Sequence, residues 1–284
     1  MRNGIPQSED SHGIDPYTDT VMRVLLYVPA DRLDTLWDSA IASRPDTVIL
    51  DLEDGVAPSA KTIARENLVR RLRQGTENVA VRINSGDLAH VDLDVLDEFP
   101  SVPIVLPKAD LAALANVEGR LLERNVIGLI ESATGLLDVV AIARHPSVIR
   151  LAIGEADLRA DLGLGVHADH VLWPLRAQLV VASRAADIEP PIGPVSTDWR
   201  DLDDLRRSSV LLRNAGFAGR STIHPSQVAV VTEVFAPTAD ELARARRVIE
   251  LFDAAVATGQ GVCVGDDGRM IDEAVVRSAR RVLS

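Results

Sequence analysis

At 284 residues, 46% of them hydrophobic but only 3% aromatic, the chain is long enough for one main domain with a large core of Val, Leu, Ile and Ala, plus a tail. A formal charge of −12 argues against nucleic acid and against an anionic membrane as partners, since both need an electropositive surface. One cysteine, Cys263, excludes an intrachain disulfide and any cysteine-based metal site, and fits a reducing cytoplasm.

Residues 1–20 are polar, lack an apolar stretch of signal-peptide length and read as a flexible arm. No run of about 18 apolar residues follows, so no spanning helix is expected. Residues 21–28 form a β-type run, after which Asp31 is placed to cap a helix over about 32–43. A second apolar run, 47–50, ends in Asp51-Leu52-Glu53-Asp54-Gly55, and Pro58 opens a helix that reaches Leu72. The third, 79–81, leads to Arg82-Ile83-Asn84, with a weak helix at 93–98 behind it. Residues 103–106 end in Pro107-Lys108, and Asp110 caps a helix to about Arg124.

Residues 126–157 hold two more apolar runs, the first closed by Glu131 and the second by Asp157, with an amphipathic segment between them. Gly163 and Gly165 follow without the GxxG continuation of a nucleotide-binding loop. Then come a helix over about 170–186, a Pro-rich run at 188–195 and a helix over 202–215 stopped by Gly216. A last short strand at 220–224 and a helix opened by Pro225 complete the alternation. Residues 239–258 form a strong amphipathic helix, and the tail after Gly261 is too short to bury a core of its own, so it must pack on the main domain or on another subunit.

Polar residues at the ends of these runs recur every 22 to 28 positions, from Arg32 through Asp54, Arg82, Lys108 and Glu131 to Asp157. That period fits a parallel strand, a crossover helix and two short loops. Five consecutive units favour a (β/α)8 TIM barrel over residues 21–238, with 239–284 as a C-terminal helix and lid. An open doubly wound sheet alternates similarly but does not require polar groups from so many strand ends to converge.

Carboxylates at buried strand ends need a partner. Glu131 and Asp157, on successive strands, could share one hard cation, the alternative being two unrelated rim carboxylates. Oxygen ligands without His or Cys favour Mg2+, or Mn2+, over zinc. Such an ion binds a 2-oxo acid through its carboxylate and carbonyl oxygens and stabilises an enolate. Arg82 is placed to clamp the substrate carboxylate or developing charge, and a salt bridge to Glu53 or Asp54 would orient it. Lys108 raises Schiff-base chemistry, but an acidic mouth favours its charged form, so a binding or salt-bridge role is expected. His224 is placed as a base or, within a His-Pro turn, as a structural residue.

In order along the chain, Tyr27-Val-Pro-Ala-Asp-Arg32, Leu50-Asp-Leu-Glu-Asp-Gly55, Val81-Arg-Ile-Asn84, Leu106-Pro-Lys108, Leu129-Ile-Glu131, GEADLRADLG at 154–163, Ile223-His-Pro-Ser-Gln227 and Gly268-Arg-Met-Ile-Asp272 form a motif series. Together they resemble the citrate lyase β-subunit-like branch of the HpcH/HpaI aldolase family, which includes malyl-CoA and citramalyl-CoA lyases. The resemblance implies a Mg2+-dependent barrel, trimeric or hexameric, that makes or breaks a carbon–carbon bond in acyl-CoA esters. It implies Glu131 and Asp157 as metal ligands, Arg82 on the keto acid, and Glu53 and Asp54 as the pair orienting it. Arg32 would contact CoA, although Ala30 replaces the usual glycine, and Asp272 would be an acid/base delivered from a neighbouring subunit's tail. Glu155 and Ala156 stand in swapped order against the family's usual Gly-Ala-Glu-Asp.

The expected reaction is cleavage of a 3-hydroxyacyl-CoA, or an acyl-carrier thioester, to acetyl-CoA and a 2-oxo acid, or the reverse condensation, in the cytoplasm. The alternatives are a pyruvate aldolase on free hydroxy-oxo acids and a non-catalytic subunit of a citrate-lyase-type complex.

Overall fold

Runs of Val, Ile and Leu buried on both faces pair as parallel strands, and in the computed structural model, which describes residues 22–121, 124–165 and 167–283, eight of them close on themselves. They are β1 (Val24–Pro29), β2 (Thr47–Asp51), β3 (Val79–Arg82), β4 (Ile104–Leu106), β5 (Val126–Ile130), β6 (Val148–Ile153), β7 (Glu189–Gly193) and β8 (Gly219–Thr222). Each pairs in parallel with its neighbour in sequence, and β8 returns to β1 with Ser221 opposite Leu25. Between and after them run α1 (Leu33–Ala42), α2 (Lys61–Leu72), α3 (Leu88–Leu96), α4 (Leu111–Leu121), α5 (Ala133–Ala143), α6 (Glu155–Asp161), α7 (Asp169–Ala186), α8 (Leu202–Asn214) and α9 (Pro225–Phe235). The chain forms the expected (β/α)8 TIM barrel. The N-terminal arm assigned to residues 1–20 lies outside the described residues.

Leu25, Ile49, Ala80, Val105, Ile127 and Ile192 pack together inside, with Tyr27 against them. The barrel interior is therefore a filled core, and the polar residues that follow the strands gather at the C-terminal mouth. Two elements depart from the sequence pattern. Helix α3 begins five residues before its expected start, because its buried face includes Asp92 while Leu88 and Val91 are 46% and 42% exposed. That arrangement inverts the usual apolar-inside signal. Asp157 does not close a strand: β6 ends at Ile153, and Asp157 sits in the first turn of α6.

A second compact unit begins at Val234, in the last turn of α9. Its long helix α10 (Ala239–Ala257) opens with a capping box, in which Glu241 N donates to Thr238 Oγ1 and Thr238 N to the Glu241 carboxylate. The antiparallel pair β9 (Cys263–Val264) and β10 (Met270–Ile271) follows, turned at Gly268 with φ +77, and then α11 (Glu273–Leu283). Phe252, Ile271 and Val276 form a cluster within this unit. The tail after Gly261 has no core of its own and packs on α10, where Ile271 and Val276 meet Phe252, Val248 and Leu251. Among the described residues no helix is long and apolar enough to cross a membrane.

Candidate active site

The site is built outward from Asp51, the last residue of β2, which is 2% exposed. Its Oδ1 accepts from Glu53 N at 2.9 Å and Arg82 Nε at 2.7 Å, and its Oδ2 from Gly55 N at 2.9 Å and Arg82 Nη2 at 2.7 Å. A Cβ at Gly55 would collide with that carboxylate, so the tight turn needs glycine. Glu53, also buried, reaches Arg82 Nη1 at 3.0 Å and Lys108 Nζ at 2.8 Å. Behind it, Lys61 Nζ donates to the Leu52 and Glu53 carbonyls at 2.6 and 2.7 Å and pins the loop. Burial pulls the Lys61 amine below its ordinary value.

Arg82 is therefore held on two edges, with its guanidinium 4.9 Å from the centre of the Tyr27 ring. Burial by itself would lower its pKa, but the hydrogen bonds and charge of Asp51 outweigh burial and hold it above the ordinary arginine range. The pair that orients Arg82 is Asp51 and Glu53, not Glu53 and Asp54 as the motif implied. Asp54 points instead to the cavity and is exposed. The cause lies in strand geometry: Asp51 is still in the ladder opposite Arg82, whereas Asp54 lies beyond the turn.

Glu131 follows β5 directly and is 5% exposed. Its Oε1 accepts from Lys108 N at 2.7 Å, and a Cβ at Gly154 would strike its carboxylate. Burial pushes its carboxyl up to about 7, with the Glu53 and Asp157 charges adding to the rise and the Lys108 N–H opposing it. Asp157, half-exposed, stands 3.5 Å from Lys108 Nζ. Burial would lower the Lys108 amine, but its hydrogen bond to Glu53 and the surrounding carboxylates carry it well above the ordinary lysine range. That is the wrong direction for a Schiff-base lysine.

A cavity of about 540 Å³ opens over these groups, lined among others by Tyr27, Arg32, Asp54, Arg82, Glu131 and Asp157. Arg32, 57% exposed, stands at its edge on the turn after β1. That turn is held by Asn67 of α2, whose Nδ2 donates to the Ala30 carbonyl at 3.1 Å. His224 also lines the cavity, stacked on Trp199 with centroids 4.1 Å apart. Its Nδ1 accepts from Ser226 N, so in the neutral ring Nε2 carries the proton. Asp272 belongs to the C-terminal unit, where its Oδ1 accepts from Val275 N and caps α11. Glu155, the residue out of family order, forms a bidentate pair with Arg176 at 2.5 and 2.8 Å. Sequence alone gives Lys61, Asn67 and Tyr27 no role: Asn67 and Tyr27 act through contacts distant along the chain, and Lys61 reaches back eight and nine residues to backbone carbonyls, which carry no sequence signature.

Among the described residues no group of three or more His, Cys, Asp or Glu is arranged to hold a metal. Mg2+ does not need one, because it is commonly held by one or two carboxylates with water and substrate completing the shell. Glu131 and Asp157 fit that donor set. The upward push on Glu131 marks an ionised form that the protein alone does not compensate, which a cation would supply.

A TIM barrel whose mouth joins a locked guanidinium to clustered carboxylates has the build of a barrel enzyme's active face. The chain belongs to the HpcH/HpaI aldolase/citrate lyase family, whose model matches residues 23–225. It is 31% identical to a (3S)-malyl-CoA thioesterase of Cereibacter sphaeroides, covering 92% of this chain and 93% of that one. It is 30% identical, with the same coverage, to an L-malyl-CoA/beta-methylmalyl-CoA lyase of the same species. CitE from Mycobacterium tuberculosis, solved with magnesium, acetoacetate and coenzyme A, superposes with a TM-score of 0.78 at 33% identity, over 93% of this chain and 97% of CitE.

Proposed function

We propose that the chain uses Mg2+ to cleave a 3-hydroxyacyl-CoA with a carboxylate on C3 into acetyl-CoA and a 2-oxo acid, or to run the condensation. It is a carbon–carbon lyase of the CoA-thioester type. The observation that supports this best is the cavity itself, in which Arg82, locked by two buried carboxylates, faces the same space as Glu131 and Asp157.

In cleavage the bond between C2 and C3 breaks, the C3 hydroxyl loses its proton and becomes a carbonyl, and the electron pair left on C2 takes up a proton. Arg82, fixed in plane by Asp51 and Glu53, directs the second N–H of each terminal nitrogen at the substrate carboxylate or at the oxygen gaining charge. Glu131 and Asp157 hold the ion, which when bound supplies positive charge to the oxo-acid oxygens. Lys108 remains an ammonium that keeps Glu53 in place, and Arg32 contacts CoA. Asp272 of a neighbouring subunit handles the proton at the acetyl carbon. Homotrimers or hexamers supply that neighbour, a reading supported by Val264 and Met270, 66% and 62% exposed on the C-terminal hairpin. Mn2+ substitutes in the same oxygen site, and the enzyme works in the cytoplasm.

The thioesterase relatives support a second reading, hydrolysis of the C–S bond of a malyl-CoA in the same cavity. Incubation with malyl-CoA, beta-methylmalyl-CoA and citramalyl-CoA in Mg2+ separates the two. The lyase reading expects a 2-oxo acid, trapped as its phenylhydrazone, with no free thiol and no turnover after chelation. Thiol and free hydroxy acid without oxo acid would reassign the chain as a hydrolase.

A further inference from the structure

Tyr27 has no part in the reaction described so far, yet the fold places it at the bottom of the cavity. It is opposite Ile49, which is opposite Ala80, in the strand layer directly beneath the paired Asp51 and Arg82. Its ring packs on the apolar barrel interior and lies 4.9 Å from the Arg82 guanidinium, while the residue is only half-buried and lines the cavity.

Among the described residues no group bonds to its hydroxyl, and the two carboxylates that flank Arg82 are engaged elsewhere, Asp51 by four donors and Glu53 by Arg82 and Lys108. Phenylalanine would fill the same space, and the phenol is no buried orphan: its hydroxyl is open to whatever occupies the cavity, water in the free protein or a ligand oxygen that accepts from it. Burial raises the pKa of the phenol, with Arg82 opposing and Asp51, Glu131 and Glu53 adding, so it remains a protonated donor throughout the neutral range. Arg82 beside Tyr27 suits a small anion, and Arg32, Leu36 and Ser39 line the same cavity.

We propose that the Tyr27 hydroxyl is a substrate-binding group that donates a hydrogen bond to an oxygen of the 2-oxo acid held by Arg82. The inference rests on the lyase reading for the identity of that acid. The chain has two tyrosines, Tyr17 and Tyr27, so protein labelled with 3-fluorotyrosine gives two fluorine resonances, and Tyr27→Phe identifies one by its loss. Adding glyoxylate or pyruvate with Mg2+ is expected to shift the Tyr27 resonance.

In the condensation direction, Tyr27→Phe is expected to raise the KM for the oxo acid by about tenfold or more, the loss of one hydrogen bond to a charged group. The KM for acetyl-CoA and the melting temperature are expected to stay as they were. A Tyr27 resonance unmoved by saturating oxo acid, an unchanged oxo-acid KM, or equal rises in both KM values would overturn the assignment. The resonance and the oxo-acid Kd need no turnover. An unaltered enzyme that binds the acid through Tyr27 but makes no carbon–carbon bond would therefore refute the lyase reading and leave this one standing.

Discussion

Arg82 shows how one residue's identity follows from its neighbours. Asp51 meets it with two parallel bonds of 2.7 Å, and Glu53 holds its other edge at 3.0 Å. A lysine cannot span both carboxylates and still face a substrate, because an ammonium lacks the planar fork. Arg82→Lys is expected to reduce kcat by on the order of 10² to 10³, the usual cost of losing one transition-state donor. Steady-state kinetics beside a melting curve check this, and a change confined to KM would assign Arg82 to ground-state binding alone. Glu131 obeys the opposite logic. Its carboxyl is pushed up to about 7 chiefly by burial. A carboxyl raised in the folded state stabilises the fold below its unfolded value, and that contribution is lost as pH rises through about 7. In Mg2+-free protein, Glu131→Gln is therefore expected to melt progressively higher than the wild type as pH goes from about 5 to about 8. Added Mg2+ should close that gap by stabilising the wild type only, and a difference that stays flat with pH would place the titration elsewhere.

At the scale of elements, most of the barrel was legible, because fully buried parallel strands are continuous apolar runs and the crossover period is fixed by chain geometry. What was obscured has identifiable causes. Helix α3 exposes Leu88 and Val91 and buries Asp92, which accepts from Asn84 N and Arg65 Nε at 2.6 and 2.7 Å, so its polarity reads backwards. Among the site residues, Glu131, Arg82 and Asp157 stand out in one dimension as charges after apolar runs. The choice of Asp51 over Asp54 depends on strand register, and Lys61 acts on carbonyls eight and nine residues back. The junction of β6 and α6 is another feature invisible in sequence spacing. Gly154 lies so close to Glu131 that an added Cβ would overlap its carboxylate and approach its Cβ to 2.9 Å. Gly154→Ala is expected to displace Glu131 and weaken Mg2+ binding by roughly 10 to 100-fold, at a stability cost of about 1–3 kcal/mol. Calorimetric Mg2+ titration measures this directly, and unchanged affinity would remove Glu131 from the ligand set.

For the whole molecule, the proposed reaction takes the proton at the acetyl carbon from a neighbouring subunit. Lys108 is tied to Glu53 and Asp157, and Glu131 and Asp157 are assigned to the ion, which leaves Asp54 and His224 in the barrel and Asp272 in the C-terminal unit. Asp272 caps α11 through one oxygen, and a cap alone would account for an aspartate there. Delivery from a neighbouring subunit makes a prediction that Asp54 cannot imitate. Subunits carrying Asp272→Asn keep an intact barrel, and subunits carrying Glu131→Gln keep an intact tail, so each is inactive alone. Co-expressed with different affinity tags and purified as mixed oligomers, they are expected to regain activity, up to about a third of wild type in a closed trimer, where every mixed ring has one productive junction. Asp54→Asn mixed with Glu131→Gln should regain none, since both changes fall in one barrel. Activity absent from the first mixture, in oligomers shown to contain both tags, would place the acid/base within a single chain and make Asp54 and His224 the residues to pursue.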